Sequence, residues 1–221
     1  MITEMELIRP EDLKDLGTAR YVYVSEWVDF TVDLSQLKQV QHLRLSAKNR
    51  TGFDKLADTV TALNISYLTE QEADSLGNFT KLESLIIRQS NIDNLKFLNA
   101  KHGITSLHLY NLPKLINTES LAEIGSSLID LDVTSAKRIN FEHSLPSLPK
   151  LERLILDGVT LKNLNFLRKM RFLRHLSLVG SNVLDGDISP AKDIPYVAID
   201  NKKHFNYKFD RKRRRIVPKQ S

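Results

Sequence analysis

An apolar-x-x-apolar-x-apolar pattern returns nine times along this chain, at intervals of 20 to 24 residues. The anchors are Val40-Leu43-Leu45, Val60-Leu63-Ile65, Leu82-Leu85-Ile87, Ile104-Leu107-Leu109, Leu128-Leu131-Val133, Leu151-Leu154-Leu156, Leu173-Leu176-Leu178 and Ile194-Val197-Ile199, preceded by a degenerate copy at Ala19-Val22-Val24. The seven steps from Val40 to Ile194 cover 154 residues, a mean of 22. A period this short excludes the longer armadillo and propeller repeats. Alternate residues of a strand point to opposite faces, so Leu85 and Ile87 share one side while Ser84, Ile86 and Arg88 share the other. One such unit cannot bury its leucines alone, whereas stacked units bury one another's, and the chain is predicted to be a solenoid.

Residues 19 to 202 resemble leucine-rich-repeat proteins, and the stretch from Leu82 to Ile92 resembles the short class of about 22 residues found in bacterial repeat proteins. The resemblance implies an α/β repeat, a curved right-handed solenoid with one parallel sheet of about nine strands. Short helical or 3-10 convex segments and N- and C-terminal caps complete the expected fold. The family usually places Asn or Cys three residues after the last strand leucine. Here those positions hold Trp27, Lys48, Leu68, Ser90, Leu112, Ala136, Val159, Ser181 and Lys202. The backbone groups that Asn would satisfy then need water or backbone partners, and less regular turns are expected.

The boundaries follow from where the pattern stops. Residues 1 to 18 do not match it. Pro10 to Gly17 reads as one helical turn with acids near its start, and the stretch is expected to cap the solenoid. Residues 19 to 202 form the repeat, and residues 203 to 210, with Phe205, Tyr207 and Phe209 alternating with polar residues, read as a capping edge strand. Residues 211 to 221 read as a disordered basic tail. Within the repeat, Thr69-Glu-Gln-Glu72 is a capping-box sequence opening a short helix, and Thr118 precedes a similar turn ending at Gly125. Prolines in Ser144 to Pro149 and at Pro190 exclude long helices in those returns.

Composition narrows the chemistry. With 41% hydrophobic residues the chain buries a core, and with no cysteine it has neither a disulfide framework nor a Cys/His zinc cluster. The first residues lack the basic and apolar regions of a signal peptide, and no apolar run is long enough to span a bilayer, so a cytoplasmic protein is expected. The net charge of +5 is uneven: residues 202 to 221 carry nine Lys or Arg against Asp210 alone, a net of +8, leaving −3 for the first 201. No phosphate-binding glycine motif is present.

Solvent-facing strand positions should form three columns. The first runs Tyr21, His42, Ala62, Ser84, Ser106, Asp130, Arg153, His175, Tyr196. The second runs Tyr23, Arg44, Asn64, Ile86, His108, Asp132, Ile155, Ser177, Ala198, and the third Ser25, Ser46, Ser66, Arg88, Tyr110, Thr134, Asp157, Val179, Asp200. His42, His108 and His175 lie three strands apart, on the order of 14 Å, too far to share a metal ion. His108 beside Asp132 suits base catalysis geometrically, but no column sets a serine next to it and an open sheet does not exclude water. The expectation is no enzyme and no cofactor.

The columns are polarised, with Arg44 and Arg88 early and Asp130, Asp132, Asp157 and Asp200 late, Arg153 being the exception. Ile86, Tyr110, Ile155 and Tyr196 are interleaved with the charges. Together with His108, these residues form the candidate protein-binding face, apolar anchors ringed by charge that sets orientation and encounter rate. Resemblance to small bacterial repeat proteins implies, most concretely, an immunity protein that captures a toxin, with a basic domain of the toxin as the expected partner. The alternative is an adaptor whose basic tail binds nucleic acid or an anionic membrane.

Overall fold

Every recurrence of the apolar pattern becomes a strand. The computed structural model describes residues 4–7, 9, 11–12, 16–46, 48–141, 143–213 and 215–219. Its main sheet joins β1 (Glu4–Leu7), β2 (Tyr21–Val24), β4 (His42–Leu45), β6 (Ala62–Ser66), β7 (Ser84–Arg88), β8 (Ser106–Tyr110), β9 (Asp130–Thr134), β10 (Arg153–Asp157), β12 (His175–Leu178) and β14 (Tyr196–Ile199) in that order. All neighbouring pairs are parallel, and Leu43, Leu63, Leu85, Leu107, Leu131, Leu154, Leu176 and Val197 pair in one unbroken row. Among the described residues the sheet thus has the nine expected strands and one more. The added one, β1, runs in register with β2 and falls within the segment expected to be a cap; residues 10 and 13–15 of the expected helical turn lie outside the described residues.

Burial follows the pattern. The inward residues of the main-sheet strands from β2 to β14 join one apolar cluster that continues from Leu16 to Ile216. On the flank, short parallel ladders repeat the stacking: β3 (Val32–Asp33) with β5 (Arg50–Thr51), β11 (Thr160–Leu161) with β13 (Asn182–Val183), and a bridge from Asn117 to Asn140. Most return segments among the described residues carry a 3-10 turn; the return from β7 to β8 has none, and the one after β6 holds the helix Glu70–Leu76, whose capping box is complete: the Thr69 hydroxyl accepts from the Glu72 amide at 3.2 Å and the Thr69 amide donates to Glu72 Oε2 at 3.0 Å. The turn Glu119–Ile124 is capped differently. Asn117 Oδ1 accepts from the Glu119 amide at 2.9 Å, while the Thr118 hydroxyl turns to the Asn140 carbonyl and Ser144 of the next coil.

The turns leaving the strands are more regular than expected. At six successive coils the residue two after the last core position is left-handed: Tyr67, Gln89, Asn111, Ser135, Gly158 and Gly180, with φ between 48° and 76°. Each of the first five donates its amide to a backbone carbonyl of the next coil, at 2.9 to 3.2 Å. Those bonds offset the cost of a left-handed conformation at four non-glycine residues. Where a serine occupies the family's Asn position it does related work: Ser90 Oγ accepts from the Leu68 amide, and Ser181 Oγ from the Val159 amide, both at 2.9 Å. Coil-to-coil bonding therefore replaces the missing asparagines.

Between β5 and the helix lies a buried ion pair. Arg50 Nε and Nη2 reach Glu72 Oε1 and Oε2 at 2.5 and 2.7 Å, while Nη1 and Nη2 donate to the carbonyls of Ser66 and Tyr67. The C-terminal segment differs from expectation. Phe205 is buried, but β15 (Tyr207–Asp210) does not extend the main sheet; it pairs antiparallel with β16 (Arg215–Pro218), and Ile216 and Phe209 face each other across that hairpin. Burial of Ile216 orders a stretch that its charge had marked as disordered.

Candidate functional site

The open face of the sheet carries the three columns in the expected order, since His42, Ala62, Ser84, Ser106, Asp130, Arg153, His175 and Tyr196 are successive Cα partners. Side chains do not keep to their columns. His108 is the Cα partner of Asp132, yet its Nε2 lies 3.0 Å from Asp130 Oδ2, two residues back along β9 on the diagonal. Tyr110 takes Asp132 instead, donating to Oδ2 at 3.0 Å, and its hydroxyl also lies 3.3 Å from His108 Nδ1. Arg153 Nη1 closes the cluster on Asp130 Oδ1 at 2.6 Å, with Nη2 3.5 Å from Asp132 Oδ2. Burial pushes the Asp130 carboxyl up, but the bonds from His108 and Arg153 outweigh it and hold that carboxyl below its ordinary value.

This cluster corrects two expectations. A serine does approach His108: Ser106, two residues earlier on the same strand, places Oγ 3.2 Å from Nε2. Serine and Asp130 contact the same nitrogen, however, whereas a triad needs the carboxylate on Nδ1 to orient the ring while Nε2 takes the serine proton; here Nδ1 faces the Tyr110 hydroxyl. Asp132, expected to face solvent, has a side chain only 8% exposed and accepts from both Tyr110 and the Thr134 hydroxyl. Asp157 and Asp200 also serve the chain itself. Asp157 Oδ1 accepts from the Ser177 hydroxyl and the Val179 amide, and Asp200 Oδ2 from the Gly180 amide, which continues the series of turn bonds.

The first half of the face is built from stacked pairs. Tyr21 lies on His42 with ring centroids 4.3 Å apart, and Arg44 and Arg88 lie over the rings of Tyr23 and Tyr110 at 4.6 and 4.4 Å. At the far end His175 and Tyr196 repeat the first stack, also at 4.3 Å. Ile86, Ile155 and Tyr196 are half-buried by these neighbours, so the apolar anchors present edges rather than whole side chains. Among the described residues no group of His, Asp and Glu has the geometry of a metal site.

Sequence reasoning passed over three parts of this surface. Tyr21 and Tyr23 stand in the columns without being singled out, and His42 is weighed only as a metal ligand, because stacking needs rotamers that spacing does not supply. Ala62, Ser84 and Asn64 leave a depression of about 230 Å³ beside them, and a run of small residues across strands is its sequence signal. Trp27, at the rim after β2, is 85% exposed, unusual for so large an apolar residue.

Comparison with known proteins agrees on the architecture. An internalin from Listeria monocytogenes str. 4b F2365, InlF, superposes with a TM-score of 0.65 at 19% identity over 90% of this chain and 58% of its own. Internalin C2 from the same strain gives 0.60 at 17% over 87% and 84%, and the TLR13-ssRNA13 complex gives 0.56 at 19% over 75% and 26%. This chain thus spans little more than half of the InlF structure. No family model and no curated protein matches the sequence. Strand order, in-register leucines and these likenesses together establish a leucine-rich-repeat solenoid of the α/β class with one curved parallel sheet.

Proposed function

We propose that the protein is a non-enzymatic binding module that captures one folded protein on the open face of its sheet, most concretely an immunity-type inhibitor that captures a toxin inside the cell. The observation that carries the reading is the pre-stacked array on that face: Tyr21 on His42, Arg44 on Tyr23, Arg88 on Tyr110 and His175 on Tyr196. Aromatic and arginine side chains dominate binding energies, and fixing their rotamers before association removes an entropic cost of about 0.5–1.5 kcal/mol for each one. The Asp130–Arg153–His108 cluster is held in the same way and sets register rather than chemistry. Asp130, Asp157 and Asp200 are half-exposed, and the acceptor capacity that their bonds within the chain leave open favours a basic surface of the toxin over the later strands.

The test captures the partner from the native cell on immobilised protein. Ile155→Asp on the open face should lose it, while Phe172→Asp, on a loop outside that face and 60% exposed, should keep it. A partner indifferent to Ile155→Asp refutes use of this face. The recovered partner, expressed alone, should arrest growth and be silenced by co-expression; a harmless partner removes the toxin reading and leaves the binding module.

One observation favours a second reading. Lys208, Arg211, Lys212, Arg213 and Arg215 are exposed on the ordered hairpin or its turn, a compact cationic surface suited to an adaptor that binds nucleic acid or an anionic membrane. Replacing Lys208, Arg211 and Lys212 with Gln abolishes target binding for an adaptor and spares it for an inhibitor.

A further inference from the structure

The depression on the early strands says what kind of surface the partner brings there. It exists because large side chains give way to small ones: Tyr21 and His42 in the first column are followed by Ala62 and Ser84, and Asn64 lies between Arg44 and Ile86 in the second. Arg44 lines it, Arg88 adjoins it through Asn64, and Lys48 follows on the turn after β4; each lies over a tyrosine, Arg44 on Tyr23 at 4.6 Å, Lys48 on Tyr67 at 4.4 Å and Arg88 on Tyr110 at 4.4 Å. Among the described residues none of the three pairs with a carboxylate, in contrast to Arg50 and Arg153. Arg88 Nε is tied to Asn64 Oδ1 at 3.2 Å, which fixes the guanidinium. The carboxylate nearest in the hydrogen-bond network is Glu26, which accepts from the Tyr67 hydroxyl at 3.1 Å.

Cations held over aromatic rings and left without counter-charges are pre-positioned for an anion, and the apolar edges of Tyr21 and Ile86 are positioned for an apolar side chain. We infer that the depression seats an acidic segment of the partner protein, one apolar side chain entering between His42 and Ile86 while flanking carboxylates meet Arg44, Lys48 and Arg88. This rests on the open-face reading and adds the chemistry of one end of the contact. The three strand spacings from β2 to β7 cover about 14 Å, the length of about four extended residues. A nucleic acid carries anions too, but a phosphate backbone running along the sheet would meet the half-exposed Asp130 and Asp157 on the later strands and Asp200 just after β14. A short protein segment crossing only the early strands avoids them.

The test uses the full chain and three fluorescent probes: a short peptide of Asp, Glu and Leu, its counterpart with Lys for the acids, and single-stranded oligo(U). The acidic peptide should bind most tightly, and its affinity should fall about tenfold or more in Arg44→Glu/Arg88→Glu and in Ala62→Trp, which fills the depression. Phe172→Asp should leave it unchanged. Stronger binding of the lysine peptide or of oligo(U), or acidic-peptide binding that survives Arg44→Glu/Arg88→Glu, overturns the inference. Circular dichroism checks each fold, and the arginine pair alone decides the matter if Ala62→Trp does not fold. The captured partner separates the two proposals: release by Ile155→Asp but not by Arg44→Glu/Arg88→Glu overturns this inference and leaves the proposed function, and retention by both overturns both.

Discussion

The Arg50–Glu72 pair should be among the costliest side-chain contacts in the chain to break. Its side chains are 2% and 12% exposed, and the guanidinium spans Glu72, Ser66 and Tyr67, so it fastens β5 and its flank to the helix of the following coil. Removing one partner of a buried, fully bonded pair costs about 3–5 kcal/mol because the other charge stays behind without compensation. Glu72→Ala should lie at the upper end. It strands a guanidinium with almost no access to water and also removes the Glu72 half of the capping box, leaving the Thr69 amide without its acceptor at a further cost of about 1 kcal/mol. Arg50→Ala should cost less, since Glu72 keeps its bonds from Thr69. Arg50→Met/Glu72→Leu should lose far less than the two single changes summed, as apolar replacement of both charges is often near neutral.

The assay is urea unfolding followed by far-ultraviolet circular dichroism, because Trp27 is too exposed to report on the core. Acid gives an independent check. Burial alone would push the Glu72 carboxyl up, but bonds from Arg50 and Thr69 outweigh it and hold it below 4.5. A carboxyl depressed in the folded state stabilises fully above its unfolded value, and that stabilisation is lost as pH falls through the folded one. The gap between wild type and Glu72→Gln should therefore be widest above pH 4.5 and close in more acidic solution. Single-variant losses below about 1 kcal/mol, or a coupling near zero, would show that the pair behaves like an exposed one and would refute the argument.

Leu131 is fully buried in the middle of the stack, and Leu131→Ala should cost about 2–5 kcal/mol in the same denaturation assay through lost burial and a residual cavity. Gly125→Ala places a new Cβ 2.2 Å from the Ser147 carbonyl oxygen of the next coil, whereas Gly103→Ala meets nothing within 4 Å. Thermal melting should show a clear loss for the first and no loss for the second. Tyr110 is pushed up to about 12 by burial, with the Asp132 charge and hydrogen bond adding to it. Because the unfolded chain ionises this phenol first, stability should fall as pH rises from about 10 toward 12. In ultraviolet titration Tyr110→Phe should remove one late-ionising tyrosine.

Periodicity made the repeating part of the fold legible because it acts through the backbone. Each leucine row needs its neighbour in register, so Leu43, Leu63 and Leu85 cannot slip by one residue without turning outward. The capping box was legible for a related reason: Thr69 and Glu72 bond the backbone beside them, and no distant partner decides the outcome. Glu4–Leu7 was missed because four residues of simple alternation, lacking the longer pattern, are too short to stand out. Arg215–Pro218 was missed because Ile216 and Val217 sit in a run of cations, and only burial of Ile216 against the body of the chain outweighs their tendency to stay solvated.

On the open face, counting charges misled where counting columns did not. Four late aspartates against one arginine read as an acidic docking surface, but a carboxylate steers a partner only to the extent that its own chain leaves it unsatisfied. Asp132 is buried under Tyr110, Thr134 and Arg153, while Asp157 and Asp200 accept the amides that turn the chain out of β12. Their first task is structural: removing a bonded, buried carboxylate leaves its donors unsatisfied, at about 1–3 kcal/mol each. Arg44 and Arg88 look weaker in the sequence, two isolated cations among neutral residues. They are the ones the fold leaves without counter-charges, because the strands beside them carry Ala62, Ser84 and Asn64 rather than acids. Column neighbours can be read from the period, but diagonal reach cannot. His108 reaches Asp130, the register partner of Ser106, and Tyr110 takes Asp132, the register partner of His108, and that diagonal shift decides which charges remain for a partner.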